Sequence, residues 1–409
     1  METTLIDPRK ERGLLLAQSS RLKQIVPGTW LVPSQTQASG GYVVDLAKGT
    51  CSCPDHELRG ETVTCKHRWA VQFARHHVAM PDGSTSVIDT MRVTYAQNWP
   101  AYNAAQCEEK DRVMILLRDL CDNVHNEPQV GRGRRRAALS DVIFAATMKT
   151  FVGMSGRRAT SDVRACAEKG FLDKPVAYNT IFDYLERPDL TPVLKGLVRR
   201  SALPLATVES KFAIDGTGFG SKVYKRWYDA KYGRQMKEAT WVKLHAICGI
   251  QTNVITAVEV TDATLHDSPL LPQLVQETAA NFTIEEIMAD KGYLGNKNLE
   301  AIAAVGAQPF VAFKTNSGEG STKVWRRAFH LFQFHREEWL AHYHKRSRIE
   351  SVFSAVKRKY GGAVRAKAPE AMVNEVLLKC LAHNLSCLVH AIHELGIEPK
   401  LLGQPEIIQ

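Results

Sequence analysis

Residues 343–362 have the sequence YHKRSRIESVFSAVKRKYGG, in which charged and apolar side chains recur at helical spacing. Arg346 precedes Glu350 by four residues and Lys357 follows it by seven, so a helix of about 3.6 residues per turn places the three side chains on one face. An adjacent apolar stripe, suited to packing on a sheet, consists of Ile349, Val352, Phe353 and Val356. The stretch therefore predicts an amphipathic helix that holds one carboxylate between two cations.

Two more carboxylates lie in β-rich runs earlier in the chain. KFAIDGTGFG at 211–220 predicts a strand of apolar residues that ends at Asp215, followed by glycines that allow the close approach of a ligand backbone. EEIMAD at 285–290 predicts a strand that ends at Asp290. Taken singly, each acid has an ordinary explanation, as a turn residue at a strand end or as part of a solvated salt-bridge face. Together they place three carboxylates on two strands and a helix.

The segments around these acids complete an α/β pattern. WVKLHAICGI at 241–250 and NVITAVEVTD at 253–262 predict a β-hairpin, and Ser268 followed by Pro269 predicts a capped helix start. Further on, the sequence predicts a short helix at 298–304, a strand at 309–314 and a long amphipathic helix at 370–396. The order from 211 onward is three strands, helix, strand, helix, strand, helix.

The spacing of Tyr343, Arg346, Glu350 and Lys357 resembles the Y-R-E-K signature of insertion-sequence transposases of the DDE type from bacteria and archaea. The resemblance extends from about Lys211 to the helix that ends near residue 395. It implies an α/β fold with an RNase H-like mixed sheet flanked by helices. In that fold the first two acids lie on adjacent central strands and the third lies on a helix packed across them.

The resemblance also implies a catalytic set of Asp215, Asp290 and Glu350. Converging carboxylates repel one another, and hard oxygen ligands favour Mg²⁺ or Mn²⁺, so the expected cofactors are two such ions per active site. Tyr343, Arg346 and Lys357 are expected as accessory residues that orient Glu350 and grip DNA.

Five neighbouring residues are weaker candidates for the same site. They are His266, Asp267, Lys291, Tyr293 and Lys314. For Asp267, capping of the next helix is an equally good explanation.

A different constellation occurs near the start of the chain. Cys51, Cys53, Cys65 and His67 are spaced as C-x-C, eleven residues, then C-x-H. Three thiolates and one imidazole form a tetrahedral set for structural Zn²⁺ that leaves no open position for water. The pattern resembles the SWIM zinc finger, a module that binds DNA or protein. The alternatives are scattered cytosolic cysteines, or a ligand set that includes other nearby histidines: His56, His76 and His77.

Basic residues indicate a polyanionic partner. The formal net charge is +10, and GRGRRR at 131–136 is either a solvated linker or a segment that tracks a DNA backbone. Three short helices predicted within 137–205 are either a helix-turn-helix reader of DNA ends or a brace for the catalytic core. The arginines expected to contact DNA are Arg132, Arg134, Arg135, Arg136, Arg157, Arg158 and Arg164.

Length and composition set the expected organisation. We expect a SWIM-like domain at 1–95, a helix and basic linker at 96–136, a helical and possible DNA-binding region at 137–208, the catalytic domain at 209–398 and a tail at 399–409. Nine cysteines without a disulfide pattern, and no run of eighteen apolar residues, favour a cytoplasmic protein that does not associate with a membrane. The resemblance to insertion-sequence transposases implies association with the prokaryotic nucleoid.

The chain departs from part of the Y-R-E-K group in one place. Only about 30 residues lie between the last predicted strand of the sheet and the helix with Glu350, where other members carry a β-rich insertion. Trp325 in this segment either holds a flipped base or packs against its neighbours.

The function expected from these features is that of a DNA transposase. It would bind the ends of an insertion element as double-stranded DNA, cleave strands and transfer them to a target, and the family resemblance implies a homodimer in the synaptic complex. The alternatives are an RNase H-like nuclease without strand transfer and a domesticated zinc-finger DNA-binding protein.

Overall fold

The computed structural model describes most of the chain, in two compact units, Met1–Gln97 and Asn98–Gln409. The described residues are 8–19, 22–26, 28–34, 40–60, 63–73, 75–79, 85–89, 98–126, 129, 131–133, 136–221, 240–320 and 322–401.

The first unit is built on a four-stranded antiparallel sheet in the order β1-β2-β3-β4. Its elements are α1 (Pro8–Ser19), β1 (Lys23–Val26), β2 (Thr29–Pro33), β3 (Gly41–Asp45), β4 (Thr50–Cys51), α2 (Pro54–Arg59), α3 (Lys66–Phe73), β5 (Arg75–Ala79) and β6 (Thr85–Asp89). Trp30, Val32 and Val44 come from the inner face of the sheet and pack with Leu16 around the buried thiols of the three cysteines.

The end of α3 differs from the sequence expectation. The pattern HRWAVQFARHH predicts a helix that continues to residue 77, but α3 ends at Phe73 and the following residues form β5. The helical prediction is wrong there because β5 pairs with β6 in an antiparallel hairpin, from Arg75 opposite Asp89 to Ala79 opposite Thr85. Those backbone hydrogen bonds replace the ones a helix would make.

The second unit is built around a mixed sheet in the order β11-β10-β7-β8-β9. Its strands are β7 (Lys211–Ser221), β8 (Trp241–Gly249), β9 (Ile255–Asp262), β10 (Glu286–Ala289), β11 (Gln308–Val311) and β12 (Ala363–Val364). Strands β7, β8 and β9 are antiparallel, whereas β10 is parallel to β7 and to β11, and β12 pairs in parallel with the end of β7. The predicted fold class, a mixed sheet flanked by helices, is confirmed.

The helices of this unit follow in two groups. Before the sheet lie α4 (Trp99–Cys121), α5 (Leu139–Phe151), α6 (Gly156–Glu168), α7 (Tyr178–Leu185) and α8 (Leu190–Ala202). After β9 lie α9 (Leu271–Ala279), α10 (Asn296–Ala304), α11 (Lys323–Phe334), α12 (Arg336–Tyr343), α13 (Ser347–Tyr360) and α14 (Pro369–Leu395). The region 137–205 thus holds four helices where three were predicted, because 190–202 also forms a buried amphipathic helix.

The predicted N-cap at Ser268 is wrong. Ser268 begins a 3₁₀ turn, Ser268–Leu270, which precedes α9. Its hydroxyl accepts a hydrogen bond of 2.8 Å from Asn298 Nδ2 instead of capping the helix. The hydrogen bond with Asn298, which is distant in the chain, therefore replaces the helix cap that the local sequence predicts.

Helix α14 is the core of the second unit. Sequence periodicity predicts an amphipathic helix that covers the sheet, but α14 is buried on most sides because it packs between the sheet and helices α4, α5 and α8. In the described part of the chain it is also the one helix long and apolar enough to qualify as a membrane span, with 78% of the apolar window buried inside the protein. That burial is typical of a core helix.

A buried asparagine connects α14 to its neighbours. Asn384 accepts a hydrogen bond from Ile255 N (2.8 Å) and donates to Ile255 O (2.7 Å), Val198 O (3.1 Å) and Ser201 Oγ (3.0 Å). One side chain thereby satisfies backbone groups of both β9 and α8. It fixes the position of α14 against the edge of the sheet.

We expect Asn384→Ala to destabilise the protein by roughly 2–4 kcal/mol, because the buried groups of β9 and α8 lose their partners. Urea unfolding followed by circular dichroism measures the change. Asn179→Ala, on the exposed surface of α7, is the control and should shift stability by less than about 0.5 kcal/mol. Equal effects of the two substitutions would contradict the role given to Asn384.

Candidate functional site

The predicted strand end at Asp215 is wrong, because β7 stays paired with β8 as far as Gly220. Asp215 therefore lies in the middle of β7, where side chains alternate between the two faces of the sheet. Thr217 and Phe219 share its face, and Gly216 lies on the opposite face. Asp215 Oδ1 accepts a hydrogen bond of 2.8 Å from Gly216 N. Burial raises the pKa of Asp215, and the neighbouring carboxylates of Asp290 and Asp267 raise it further, whereas the Gly216 N–H and Arg346 oppose the shift.

Asp290 reaches the same place from the next strand. The parallel register pairs Ala289 with Ile214, so the residue that follows β10 comes level with Asp215. A 3₁₀ turn, Lys291–Tyr293, begins immediately after Asp290 and turns the chain away from the sheet. The structure therefore brings the first two predicted acids side by side.

Glu350 joins them through a shared guanidinium group. Arg346 Nη1 donates to Asp215 Oδ2 at 3.1 Å and Arg346 Nη2 donates to Glu350 Oε1 at 2.5 Å. Arg346 ends the 3₁₀ turn that precedes α13, and Glu350 lies in the first turn of α13 with 56% of its side chain exposed. A single cation thus contacts two of the three predicted acids.

The two remaining accessory residues lie on either side of this contact. Tyr343 stacks on Trp339 with ring centroids 4.4 Å apart, and burial raises its pKa. Two turns along α13 from Glu350, Lys357 donates to Thr217 Oγ1 at 2.7 Å and lies 5.1 Å from the centroid of the Phe219 ring. Burial lowers the pKa of Lys357.

An open groove runs between β7 and α13. Its volume is about 480 Å³, and it is lined by Asp215, Gly216, Thr217, Glu350, Phe353, Ser354, Lys357 and Arg358. Its lining thus includes two carboxylates and two cations. The groove can therefore hold a divalent cation at the carboxylates and a phosphate at the cations.

A fourth carboxylate lies behind the first. Asp267 Oδ1 lies 2.7 Å from Lys243 Nζ and 2.9 Å from His245 Nδ1, and its side chain makes no capping hydrogen bond to the next helix. A Cβ atom added to Gly216 would lie 2.7 Å from the same oxygen. The sequence made Asp267 only a weak candidate because its loop position does not reveal which face of β7 it contacts.

The other weak candidates do not form part of this groove. His266, Lys291 and Lys314 are exposed. Trp325 donates from Nε1 to Gly318 O at 3.0 Å and packs edge-on against Phe313. These contacts favour packing over a base-holding role for Trp325.

The predicted zinc ligands are brought together in the first unit. One ligand atom from each of Cys51, Cys53, Cys65 and His67 lies within 4.8 Å of the others, and all four residues are buried. Hydrogen bonding to the Cys51 thiol lowers the pKa of Cys65 to about 3, and the same contact raises the pKa of Cys51. A thiolate is thus favoured at Cys65, which is the form that binds metal. The cluster is compatible with structural zinc.

The alternative histidines differ in how they relate to this cluster. His56 is buried in α2 but is not a member of the group. His76 and His77 lie on β5, and their side chains are outside the described residues.

The arginines expected to contact DNA divide into two sets. Arg132 and Arg136 are exposed, and Arg134 and Arg135 lie outside the described residues. On the outer face of α6, Arg157, Arg158 and Arg164 are exposed.

The packing of the inner faces of α6 and α7 helps to distinguish the two roles predicted for region 137–205, a helix-turn-helix reader of DNA ends or a brace for the catalytic core. Val163 and Cys166 of α6, with Ile181 and Leu185 of α7, belong to the same hydrophobic core as the sheet. This packing is the behaviour expected of a brace. The connection between the two helices, residues 169–177, is longer than the turn of a typical helix-turn-helix.

Comparison with protein families identifies this core. Residues 206–385 match the family model described as the transposase DDE domain. The predicted resemblance of this part of the chain to insertion-sequence DDE transposases is confirmed. Comparison with curated proteins gave no match. Transposases with this domain act on DNA and use divalent metal ions, so the match supports a DNA substrate and a divalent metal ion here.

We expect the purified protein to contain about one zinc ion per chain, and Cys65→Ser to contain little or none, because three ligands bind the ion far more weakly than four. Metal analysis by atomic absorption measures the content. Cys107→Ser, which changes an exposed cysteine on α4, is the matched control and should retain the ion. Full zinc content in Cys65→Ser would rule out this ligand set.

Proposed function

We propose that the protein is a DNA transposase that binds the ends of an insertion element and catalyses metal-dependent cleavage and transfer of DNA strands. The observation that carries the proposal is the contact of one guanidinium, that of Arg346, with both Asp215 and Glu350 beside Asp290. A fold that served only as a scaffold would have no need to bring three carboxylates together against their mutual repulsion.

In this proposal Asp215, Asp290 and Glu350 hold Mg²⁺, or Mn²⁺, with two ions per active site. The donor set fits, because it consists of carboxylate oxygens. Asp215 and Glu350 line the open groove, and Asp290 directly follows the strand that pairs with β7. When bound, the ions activate a water or a DNA 3′-hydroxyl as the nucleophile and stabilise the leaving oxygen.

The chain's own residues have distinct tasks around these acids. Arg346 fixes the carboxylates of Asp215 and Glu350 in one orientation and reduces their repulsion. Lys357, which Thr217 orients, neutralises a phosphate of the strand that lies in the groove. Tyr343 packs next to Arg346 and limits its motion.

The substrate in this proposal is double-stranded DNA, as transposon ends and as target. Exposed arginines on α6 and in the 131–136 segment supply contacts to the phosphate backbone. The SWIM-like finger of the first unit holds a structural Zn²⁺ and binds DNA or protein. Two copies of the chain form the synaptic complex, and the protein acts in the prokaryotic cytoplasm at the nucleoid.

We expect Asp290→Asn to lose at least about 100-fold in cleavage rate while its binding to element ends stays largely unchanged, because the change removes a metal ligand and not a DNA contact. The assay uses supercoiled plasmid that carries the DNA flanking the gene, with Mg²⁺ or Mn²⁺. Asp262→Asn, at the exposed end of β9, is the matched control, and Glu350→Gln should behave as Asp290→Asn does.

The products of the same assay separate the possible functions. Metal-dependent nicks with joined products in the wild type support a transposase. Nicks without joined products would indicate a nuclease, and end binding without cleavage under either metal would indicate a DNA-binding protein. Full cleavage by Asp290→Asn would refute the assignment of the acids.

We expect Arg157→Gln, Arg158→Gln and Arg164→Gln each to weaken DNA binding and to flatten its dependence on salt, by about 0.9 in the log–log slope for each lost phosphate contact. Fluorescence anisotropy at several salt concentrations measures the slope. Arg112→Gln, an exposed arginine of α4 that pairs with Glu108, is the control. If the three α6 variants keep the slope of the wild type, the helical region acts only as a brace.

A further inference from the structure

A buried lysine without a partner lies in the last turn of α5. Lys149 is 7% exposed, and its Nζ lies 5.7 Å from the centroid of the Phe182 ring. Among the described residues its ammonium group has no hydrogen-bond or ion-pair partner, yet its nitrogen is not one of the fully enclosed polar atoms. The small exposed part of Lys149 therefore includes the ammonium group, which a ligand can reach while the aliphatic stem stays buried.

Phe182 is the centre of the surface around this ammonium group. It is 39% exposed and follows Tyr178 by one turn of α7, with the two ring centroids 5.9 Å apart. The tip of its ring meets the first turn of α6, because a Cβ atom added to Gly156 would lie 2.5 Å from Phe182 Cζ. The glycine thus lets one exposed ring contact both Lys149 and the start of α6.

The start of α6 carries unbalanced positive charge. Its first turn contains Arg157 and Arg158 and no acidic residue, and the side chain of Ser155 makes no capping hydrogen bond. Cations at this end of a helix oppose the helix dipole. In the described part of the chain neither arginine pairs with a carboxylate, and Arg157 lies over the Tyr178 ring at 5.8 Å from its centroid. A bound anion would stabilise this end of the helix.

A fourth cation connects this surface to the groove that holds the acids. Arg365 Nη2 donates to Gly153 O at 2.7 Å, in the loop between α5 and α6. Arg365 directly follows β12, which pairs with Gly220 and Ser221 at the end of β7. Because β12 follows α13, whose cations line the groove, positive charge continues from the groove past β12 to the start of α6.

The nearby carboxylates do not neutralise Lys149. Burial lowers its pKa, while the charge of Glu375 opposes that shift and the charge of Arg365 adds to it. Glu375 is already engaged, because its Oε2 accepts the backbone N–H groups of Arg365 and Ala366 at 2.8 and 2.9 Å. Asp183, beside Phe182 on α7, is exposed. The buried ammonium group of Lys149 therefore lacks the anion that would compensate its burial.

An unpaired segment of a DNA strand fits this combination of features. Its phosphates can pair with the cations, and an exposed aromatic ring beside cations can stack on a base. A duplex would use only the charges, because its bases are already stacked on one another. An apolar protein surface would cover Phe182 and leave the four cations without an anion.

We propose that this surface binds an unpaired segment of a DNA strand, with a base stacked on Phe182 and its phosphates held by Lys149 and Arg157. The inference deepens the proposed function and rests on it for the identity of the ligand as DNA. It adds a site for single-stranded DNA to the contacts that the exposed arginines make with duplex phosphates.

The test compares a labelled single strand, oligothymidylate, with a labelled duplex of the element end. Binding to zinc-loaded full-length protein is measured by fluorescence anisotropy at several salt concentrations. We expect Phe182→Leu to bind the single strand about 10-fold more weakly than the wild type does, because a stacking contact is lost. Its salt slope and its affinity for the duplex should stay unchanged, since no charge is removed.

Lys149→Met separates the phosphate contact from the stack. Methionine keeps an unbranched buried stem and removes the ammonium group, so the log–log salt slope for the single strand should fall by about 0.7. The melting temperature without DNA should stay equal or rise, because a buried charge without a partner is lost. A lower melting temperature with an unchanged slope would assign Lys149 to stability and contradict the phosphate contact.

Phe334→Leu is the matched control for the ring. Phe334 is more exposed, at 68%, and its ring lies 4.7 Å from that of His330 at the end of α11. None of the described lysines and arginines lies over its ring. This substitution should leave the affinity for both DNA molecules unchanged.

The two DNA molecules distinguish this inference from the proposed function. If the wild type binds the duplex and Phe182→Leu keeps the wild-type affinity for the single strand, the inference alone is overturned. Loss of self-association in Phe182→Leu, measured by analytical ultracentrifugation, with that affinity unchanged would assign the ring to a contact between two copies of the chain. If the wild type binds neither DNA molecule, the proposed function fails and the inference fails with it.

Discussion

The candidate site depends on the two-sided pairing of β7. Because β7 pairs with β8 along one edge and with β10 and β12 along the other, its residues must alternate between the faces of the sheet. Asp215 is therefore directed to α13 and its groove, and Gly216 to the opposite side. The gap between β10 and β12 leaves the part of β7 that follows Asp215 open on one edge, and Asp290 emerges there.

Contacts with cations then hold the carboxylates of Asp215, Glu350 and Asp267 in place. Burial and neighbouring acids raise the pKa of Asp215, so its ionised form needs a nearby cation. Arg346 supplies one such charge and shares it with Glu350. On the other face, Lys243 supplies a charge to Asp267. Asp215 and Arg346 thus form a pair on one face of β7, and Asp267 and Lys243 form a pair on the other. Both Arg346 and Asp267 affect the pKa of Asp215.

Much of the site could be predicted from the sequence because its chemistry is encoded locally. The helical spacing of Arg346, Glu350 and Lys357 survives in α13 and the turn before it, and the C-x-C and C-x-H pairs meet as one buried cluster. The succession of strands and helices along the chain was predictable for the same reason, since each apolar run is short and bounded by turn residues. The prediction that α3 continues past Phe73 was wrong, because residues 75–79 pair with β6 in a hairpin although their sequence has helical periodicity.

The sequence by itself determined which residues carry charge, which segments are apolar enough to be strands or helices, and which cysteines and histidines are candidate zinc ligands. Only the tertiary structure decided that Asp267 approaches β7 at Gly216 and that α14 is buried on most sides. The physical reason is that local spacing fixes the face of a helix or strand. Whether a loop residue meets that face depends on contacts between segments far apart in the chain, such as the one Asn298 makes with Ser268.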